Sequence, residues 1–127
     1  MGEQYHNIPD GEFRVVLNAK KIQKDAFRII SSEKLVPKRM RWLGADMVAQ
    51  TAKQFKYEVK LANNLNSKTQ AEERKQHQLM AVALLKTLSE LMDDLCDDVG
   101  FSHDRIKQWQ KDVNTELFLL SKWISKG

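Results

Sequence analysis

The side chains of this sequence that could perform chemistry are few, and the most concentrated group is acidic. Asp93, Asp94, Asp97 and Asp98 fall within two helical turns, a spacing at which carboxylates can hold a hard cation. They also lie near the predicted C-terminal end of a helix, where the helix dipole disfavours negative charge. The alternatives are a solvated face, a contact with a basic protein surface, and a metal site. We expect the solvated face and no bound metal.

Neither the single cysteine nor the three histidines form a catalytic pattern. Cys96 lies at the edge of an apolar helical stripe, which is typical of a small buried side chain, and the local sequence offers no basic partner to activate it. His6, His77 and His103 are scattered, and His77 has the phase of a histidine inside a bundle. The sequence also lacks a glycine-rich phosphate loop, a Glu-x-x-His pair and a Cys-x-x-Cys motif. We therefore expect no enzyme and no cofactor.

Cationic side chains offer a different chemistry, the binding of phosphate groups. Pro37 is followed by Lys38, Arg39 and Arg41, although the first turn of a helix normally prefers acidic residues. Proline suits the first helical position, where its missing N–H costs nothing. Three cations beside the free N–H groups of a helix start would form an anion site. This stretch therefore predicts a phosphate-binding end of a long helix.

Further cations extend this basic surface along two helices, counted at 100° per residue. If the two outer faces are adjacent, they form one positive surface that binds phosphate backbones through counterion release, without base specificity. The alternative, that lysine-rich outer faces are merely solvated, stays open. The additional members are Lys20, Lys21, Lys24 and Arg28 on the first helix, and Lys53, Lys56 and Lys60 on the second.

The elements that position these residues are predicted to be helices. Apolar residues recur at spacings of three and four between the prolines and glycines, and no strand-like alternation persists. Ser102 is a suitable N-cap for the last helix, and Gly100 is a suitable residue to end the helix before it. The predicted helices run from about Glu12 to Ser31, from Pro37 to Asn64, from Gln70 to Val99, and from Ser102 onward.

Four amphipathic helices with short connections predict an all-α fold, an antiparallel up-down four-helix bundle. The chain has 127 residues, which suits a single domain over residues 1–127 with one core. Within it, residues 1–11 are expected to form a flexible N-terminal segment. One cysteine permits no internal disulfide, and no apolar run of about 18 residues is present. We therefore expect a cytoplasmic protein without signal peptide or membrane segment. The net charge is +6 over residues 1–68 and −2 over residues 69–127, which predicts one basic surface.

Aromatic residues indicate contacts beyond a single chain. Trp42 has an outward phase among the lysines, where it could stack on bases, lie in a subunit interface or be covered by the N-terminal segment. In the C-terminal sequence ELFLLSKWI, Leu119 and Trp123 fall on one side of the stripe predicted to face the bundle, and Phe118 falls on another. This pattern predicts an oligomer interface that includes these four residues. The stripe predicted to face the bundle contains Leu117, Leu120 and Ile124.

Several segments of the chain resemble one family of bundle proteins. They are PKRMRW at the start of the second helix, KLANNLN at its end, the Leu-rich third helix and LLSKWISK near the end of the chain. In their order and spacing, from about Leu17 to Lys126, the chain resembles the accessory variability proteins of diversity-generating retroelements. That family is related to the bundle proteins encoded in intervening sequences of bacterial 23S ribosomal RNA genes.

The resemblance implies a non-catalytic role. Such proteins form pentameric barrels of four-helix bundles, bind a reverse transcriptase and its template RNA or cDNA, and support mutagenic retrohoming into a target gene. By this resemblance Lys38, Arg39 and Arg41, with the face from Lys20 to Arg28, would contact nucleic acid or the transcriptase. The alternative is a structural or protein-interaction bundle of the ribosomal intervening-sequence type with no nucleic-acid role. Which RNA or DNA is bound, and the number of subunits, stay open.

Overall fold

The computed structural model describes residues 10–126 of the chain, and its regular structure is helical throughout. No strand occurs in these residues, so the predicted all-α class is confirmed. Two short 3-10 helices, Lys38–Leu43 and His103–Ile106, each precede a long helix. The four long helices are α1 (Asp10–Ser31), α2 (Ala45–Asn64), α3 (Ala71–Val99) and α4 (Lys107–Lys126).

The four long helices pack around one apolar core. Helix α1 packs mainly against α2 and α4, and α3 packs against the same two helices. The indole N–H of Trp109 on α4 donates to the carbonyl oxygen of Ile22 on α1, at 3.0 Å. Phe55, Leu88 and Met92 are fully buried, and burying such a side chain contributes about 1.5–3 kcal/mol. The apolar face predicted for α1 is buried at every position: Val15, Ala19, Ile22, Ala26 and Ile29.

The second long helix starts later than the sequence predicts. The chain forms the 3-10 helix Lys38–Leu43 after Pro37, turns at Gly44, and only then enters α2. Asp46 lies in the first turn of α2, where a carboxylate suits the helix dipole. The prediction that the basic stretch forms the first turn of a long helix is therefore wrong.

The junction between α3 and α4 follows the predicted capping residues. Gly100 has a φ of 96° and its N–H donates to the carbonyl of Cys96 at 2.8 Å, so a left-handed glycine ends α3 as predicted. The Ser102 hydroxyl accepts from the N–H of Asp104 at 3.2 Å, which confirms Ser102 as an N-cap. The capped turn is the 3-10 helix His103–Ile106, and α4 begins only at Lys107.

The buried face of α4 is rotated relative to the predicted stripe. Leu117 and Ile124 are only half-buried, whereas Leu119 and Trp123 are 7% and 3% exposed. The physical reason is that α4 packs between α1 and α3, so the side chains that point between these two neighbours are buried, and the predicted stripe lies at the edge of that face. The residues buried on α4 are Trp109, Val113, Glu116, Leu119, Leu120 and Trp123.

One sequence-based expectation falls mostly outside the described residues, and a second concerns membrane-spanning helices. The predicted flexible segment, residues 1–11, lies outside them except for Asp10 and Gly11, which belong to α1. Within residues 10–126, no helix has both the length and the apolar character that crossing a bilayer requires.

Candidate nucleic-acid interface

The side of α1 that faces α4 carries cations that are already paired. The Lys21 ammonium binds the Asp112 carboxylate and lies 3.6 Å from Asp25. The Arg28 guanidinium lies 3.3 Å from the other oxygen of Asp25. The hydrogen bond to Asp112 raises the pKa of Lys21, and burial opposes it only in part. Two of the four predicted cations of α1 are therefore matched by aspartates.

The remaining cations of α1 lie on a different part of its surface. Asn18 donates to the carbonyl of Asp112 at 3.0 Å, which marks the α4 side of α1. At 100° per residue, Lys20 lies on the opposite side, toward α2, and Lys24 points outward between the two sides. Both side chains are exposed, and neither has a carboxylate partner in the described part of the chain.

Helix α2 presents three more lysines toward α1. Glu58 pairs with His77 of α3, which marks the α3 side of α2. Because α2 packs mainly against α1 and α3, the opposite side faces α1. At 100° per residue, Lys53, Lys56 and Lys60 lie on the side of α2 opposite Glu58. Across residues 10–126 no carboxylate pairs with these lysines. We call the resulting surface the lysine face, and it consists of Lys20, Lys24, Lys53, Lys56 and Lys60.

One exposed aromatic residue on the lysine face was missed in the sequence analysis. Tyr57 is 62% exposed and lines a shallow depression on α2 with Lys53, Lys56 and Lys60. Lys53 and Lys60 lie four residues before Tyr57 and three residues after it, which places their side chains beside the phenol ring on one helix face. This spacing could have been read from the sequence, because it combines cations for phosphates with a ring for stacking.

Arg41 has a structural task at the end of α1. Its Nε donates to the carbonyl of Val36 and its Nη2 to the carbonyl of Ser31, both at 3.1 Å, and Nη2 lies 3.5 Å from Glu33. A cation at the last carbonyls of a helix also suits its dipole. Arg41 is thus a cap of α1, and the three-cation anion site is not assembled around it. Lys38 and Arg39 are exposed, and their part in binding stays a prediction.

We predict that Arg41→Met lowers the free energy of unfolding by about 1–2 kcal/mol, because the hydrogen bonds to Ser31 and Val36 are lost. Lys38→Met is the matched control, since the Lys38 side chain is exposed, and it should change stability by less than about 0.5 kcal/mol. Urea denaturation of the two variants measures both values. Equal stability of the two variants would show that Arg41 does not cap α1.

The four predicted interface residues fall into two groups. Trp42 is 80% exposed and Phe118 is 59% exposed, with the Lys122 ammonium 4.8 Å from the Phe118 ring centre. Leu119 and Trp123 lie inside the bundle instead, where the Arg74 guanidinium stacks 4.9 Å from the Trp123 ring centre. Only the first pair has surface to offer a partner. The N-terminal segment proposed to cover Trp42 lies outside the described residues.

Glu116 is a buried carboxyl group that the sequence analysis did not single out. It is fully buried, and its Oε1 accepts from Asn18 at 3.3 Å. Its Oε2 has no hydrogen-bond partner in the described part. Burial raises the pKa of Glu116 to about 8, against the opposing effect of the Asn18 hydrogen bond. Its position three residues after Val113 and four before Leu120 is the sequence signal, because it falls on the apolar stripe.

The acidic run contacts His103, although the sequence pattern does not connect the two. His103 Nε2 lies 2.8 Å from Asp97 Oδ1, and this hydrogen bond raises the pKa of His103. Cys96 is buried, and burial together with Asp97 and Asp93 raises the pKa of its thiol. A thiol of that kind is a poor nucleophile at neutral pH. The sequence could not place His103 there, because the chain reversal at Gly100 creates the contact.

The lysine face can bind extended anions, since its charges lie on two neighbouring helices and are not neutralised within residues 10–126. Comparison of the chain with protein-family models, with curated proteins and with solved structures finds no match.

Proposed function

We propose that the protein is a non-catalytic nucleic-acid-binding bundle whose lysine face holds phosphate backbones. The observation that carries this proposal is the contrast between the two sides of α1. Cations toward α4 are paired with Asp25 and Asp112, whereas the five lysines of the lysine face, on α1 and α2, have no carboxylate partner within the described residues. Clustered like charges repel one another, and binding a phosphate backbone relieves that repulsion and releases counterions.

The proposal takes the four long helices as an antiparallel up-down bundle. Contacts that run in opposite directions along α1 and α4, and a contact between the end of α2 and the start of α3, support it. Ile22 contacts Trp109, and Asn18 contacts Glu116 further along α4. Between α2 and α3, Arg74 donates to the carbonyl of Ala62 at 3.1 Å. In this arrangement the outer faces of α1 and α2 form one surface about 30 Å long, at 1.5 Å per residue.

The resemblance to the accessory variability proteins supplies the wider role. We propose that the protein acts in the cytoplasm with the reverse transcriptase of a diversity-generating retroelement, and that it holds template RNA or cDNA during mutagenic retrohoming. The same resemblance favours a homo-oligomer with five subunits. The exposed rings of Trp42 and Phe118 support a partner surface. Light scattering of the purified protein measures the subunit number, and co-purification with the transcriptase tests the partner.

Fluorescence-anisotropy titration tests the nucleic-acid role directly. The purified protein is titrated against a structured RNA and a DNA duplex of unrelated sequence, at low and at moderate salt. We expect similar affinities for both ligands and steep weakening with salt, because phosphate contacts carry no sequence information. Absence of binding at about 50 mM salt, where phosphate contacts are strong, would contradict the proposal.

The second candidate function is a protein-interaction bundle without a nucleic-acid role. The observation in its favour is the exposed apolar surface of Trp42, Met47 and Phe118, which are 80%, 59% and 59% exposed. Exposed rings and methionines are enriched in protein interfaces. This candidate predicts no nucleic-acid binding at any salt concentration, so the same titration separates the two.

Tyr57 provides a prediction about single strands. Tyr57→Leu should weaken binding to an unstructured single-stranded RNA by about tenfold, because stacking on one base contributes about 1–3 kcal/mol. Binding to a DNA duplex should stay within about twofold, because paired bases are not available for stacking. Tyr57→Phe is the control and should keep the wild-type affinity. Equal losses on both ligands would show that Tyr57 does not stack on bases.

A further inference from the structure

We propose that Cys96, Asp97 and His103 form a binding site for a divalent transition metal of the zinc class. One ligand atom from each residue lies within 4.8 Å of the other two. A thiolate, an imidazole and a carboxylate are the ligand types that Zn²⁺ takes in proteins. Calcium and magnesium prefer sites made of oxygen alone, so the sulfur and nitrogen favour a softer metal.

The chain reversal after α3 brings the ligands together from two elements. Cys96 and Asp97 lie in the last turn of α3, and His103 begins the 3-10 helix after the turn at Gly100. His103 Nε2 already lies 2.8 Å from Asp97 Oδ1. A metal bound at Nε2 would therefore have the Asp97 carboxylate within reach as a second ligand. The three ligands are thus a thiol, an imidazole and a carboxylate within reach of one ion, and the site does not consist of carboxylates alone.

Asp93 can orient the histidine from outside the ligand set. Its Oδ1 lies 3.7 Å from His103 Nδ1 and accepts from Gln110 Nε2 of α4 at 2.9 Å. With the metal on Nε2, the Nδ1–H points to this carboxylate. A metal-binding histidine almost always donates its second N–H to such a group, which fixes the ring. At 3.7 Å no hydrogen bond joins Asp93 and His103 yet, but Asp93, which Gln110 holds in place, would accept this N–H after a small movement of the ring.

The charge distribution around this point favours a cation. Asp93, Asp94, Asp97 and Asp98 lie at the C-terminal end of α3, where the helix dipole adds further negative charge. No lysine or arginine forms an ion pair with these aspartates in the part of the chain that the structure describes, and the imidazole of His103 is the basic group that contacts them there. A solvated face alone leaves this repulsion uncompensated. A bound divalent ion would compensate it.

Binding replaces one contact of Cys96 and leaves one position open. The thiol now donates to the carbonyl oxygen of Phe101 at 3.0 Å. On binding, the thiol proton and the proton on His103 Nε2 pass to solvent, and the lone pairs of the sulfur and of Nε2 go to the metal. The Nε2–H hydrogen bond to Asp97 is thereby replaced by coordination of both groups to the same ion. Asp97 and His103 are exposed, so the ion can enter from solvent. Three protein ligands leave the fourth tetrahedral position for a water molecule.

Titration of the full-length protein with Co²⁺ tests the site by a sulfur-specific signal. We expect a thiolate-to-cobalt charge-transfer absorption that saturates at one equivalent and disappears when Zn²⁺ is added. Cys96→Ser, which keeps a hydroxyl donor for Phe101, should abolish the absorption. His103→Gln and Asp97→Asn should weaken Co²⁺ binding by at least about tenfold. Asp98→Asn is the matched control, because it removes the same charge from the same run, and it should change affinity by about twofold at most.

Two results would overturn the metal site. One is the absence of a charge-transfer absorption in the wild-type protein at millimolar Co²⁺. The other is an equal loss of affinity in Asp98→Asn and Asp97→Asn, which would mean that a diffuse acidic surface collects the ion. Should Cys96→Ser lose helical circular dichroism, the decision rests on His103→Gln, which leaves Cys96 and its hydrogen bond intact.

Discussion

Charge reversal of Lys24, Lys53 and Lys60 to glutamate should weaken binding to a structured RNA by at least about a hundredfold at low salt. The three lysines lie on two neighbouring helices, and none has a carboxylate partner among residues 10–126. Each replacement removes one phosphate contact and adds a charge that repels the RNA backbone. Fluorescence anisotropy with the same RNA measures the loss.

A control with the same change in net charge separates a local surface from general attraction. Lys75, Lys86 and Lys111 are exposed on α3 and α4, away from the lysine face, and their replacement by glutamate should weaken binding by less than about tenfold. Thermal melts of both triple variants should stay close to the wild type, because exposed positions contribute little to stability. Equal losses of affinity in the two variants would contradict the lysine face.

Glu116→Gln should stabilise the protein by about 2 kcal/mol at pH 7. Burial raises the pKa of Glu116 to about 8 in the folded state, above its ordinary value of 4.5 in the unfolded chain. At pH 7 the unfolded state therefore releases a proton that the folded state keeps, and this difference costs about 3 kcal/mol. The amide removes that cost and keeps an oxygen to accept from Asn18. Its buried N–H groups have no acceptor, which reduces the gain in stability by about 1 kcal/mol.

The buried carboxyl of Glu116 should also make the stability of the wild-type protein depend on pH. Because the folded-state pKa is raised, the free energy of unfolding should fall as the pH rises from about 4.5 to about 8, and then level off. Glu116→Gln should lack this part of the slope, so its advantage should vanish at about pH 5, where the ionisation cost of the wild type equals the cost of about 1 kcal/mol from the unpartnered N–H groups. Glu90→Gln, an exposed position on α3, is the control. Parallel pH profiles for wild type and Glu116→Gln would contradict the buried, protonated carboxyl.

The helical fold could be predicted from the sequence because the spacing of apolar residues and the positions of the capping residues indicate the same helices. The apolar face of α1 and the caps at Gly100 and Ser102 are local signals, and the structure confirms them. The start of α2 could not be predicted in the same way. Pro37 and the basic residues after it are compatible with a helix start. Only the hydrogen bonds from Arg41 to the end of α1 show that this side chain caps α1 instead.

The rotation of α4 and the histidine contact depend on tertiary structure. Leu119 and Trp123 look like a second apolar side when one helix is considered alone, and they become core residues because α4 packs against two neighbours. His103 approaches Asp97 only because the chain turns back at Gly100. The cations of α1 were predicted as one face, and their division into paired and unpaired members depends on Asp112, 91 residues away from Lys21.

The salt dependence of duplex DNA binding tests the central claim most directly, because its slope counts phosphate contacts. For five contacts on the lysine face, the logarithm of the binding constant should fall with the logarithm of the salt concentration with a slope of about −4.5, at about −0.9 per contact. The variant with Lys24, Lys53 and Lys60 replaced by glutamate should give a slope no steeper than about −2. A slope near zero in the wild type, or the same slope in both proteins, would contradict the account.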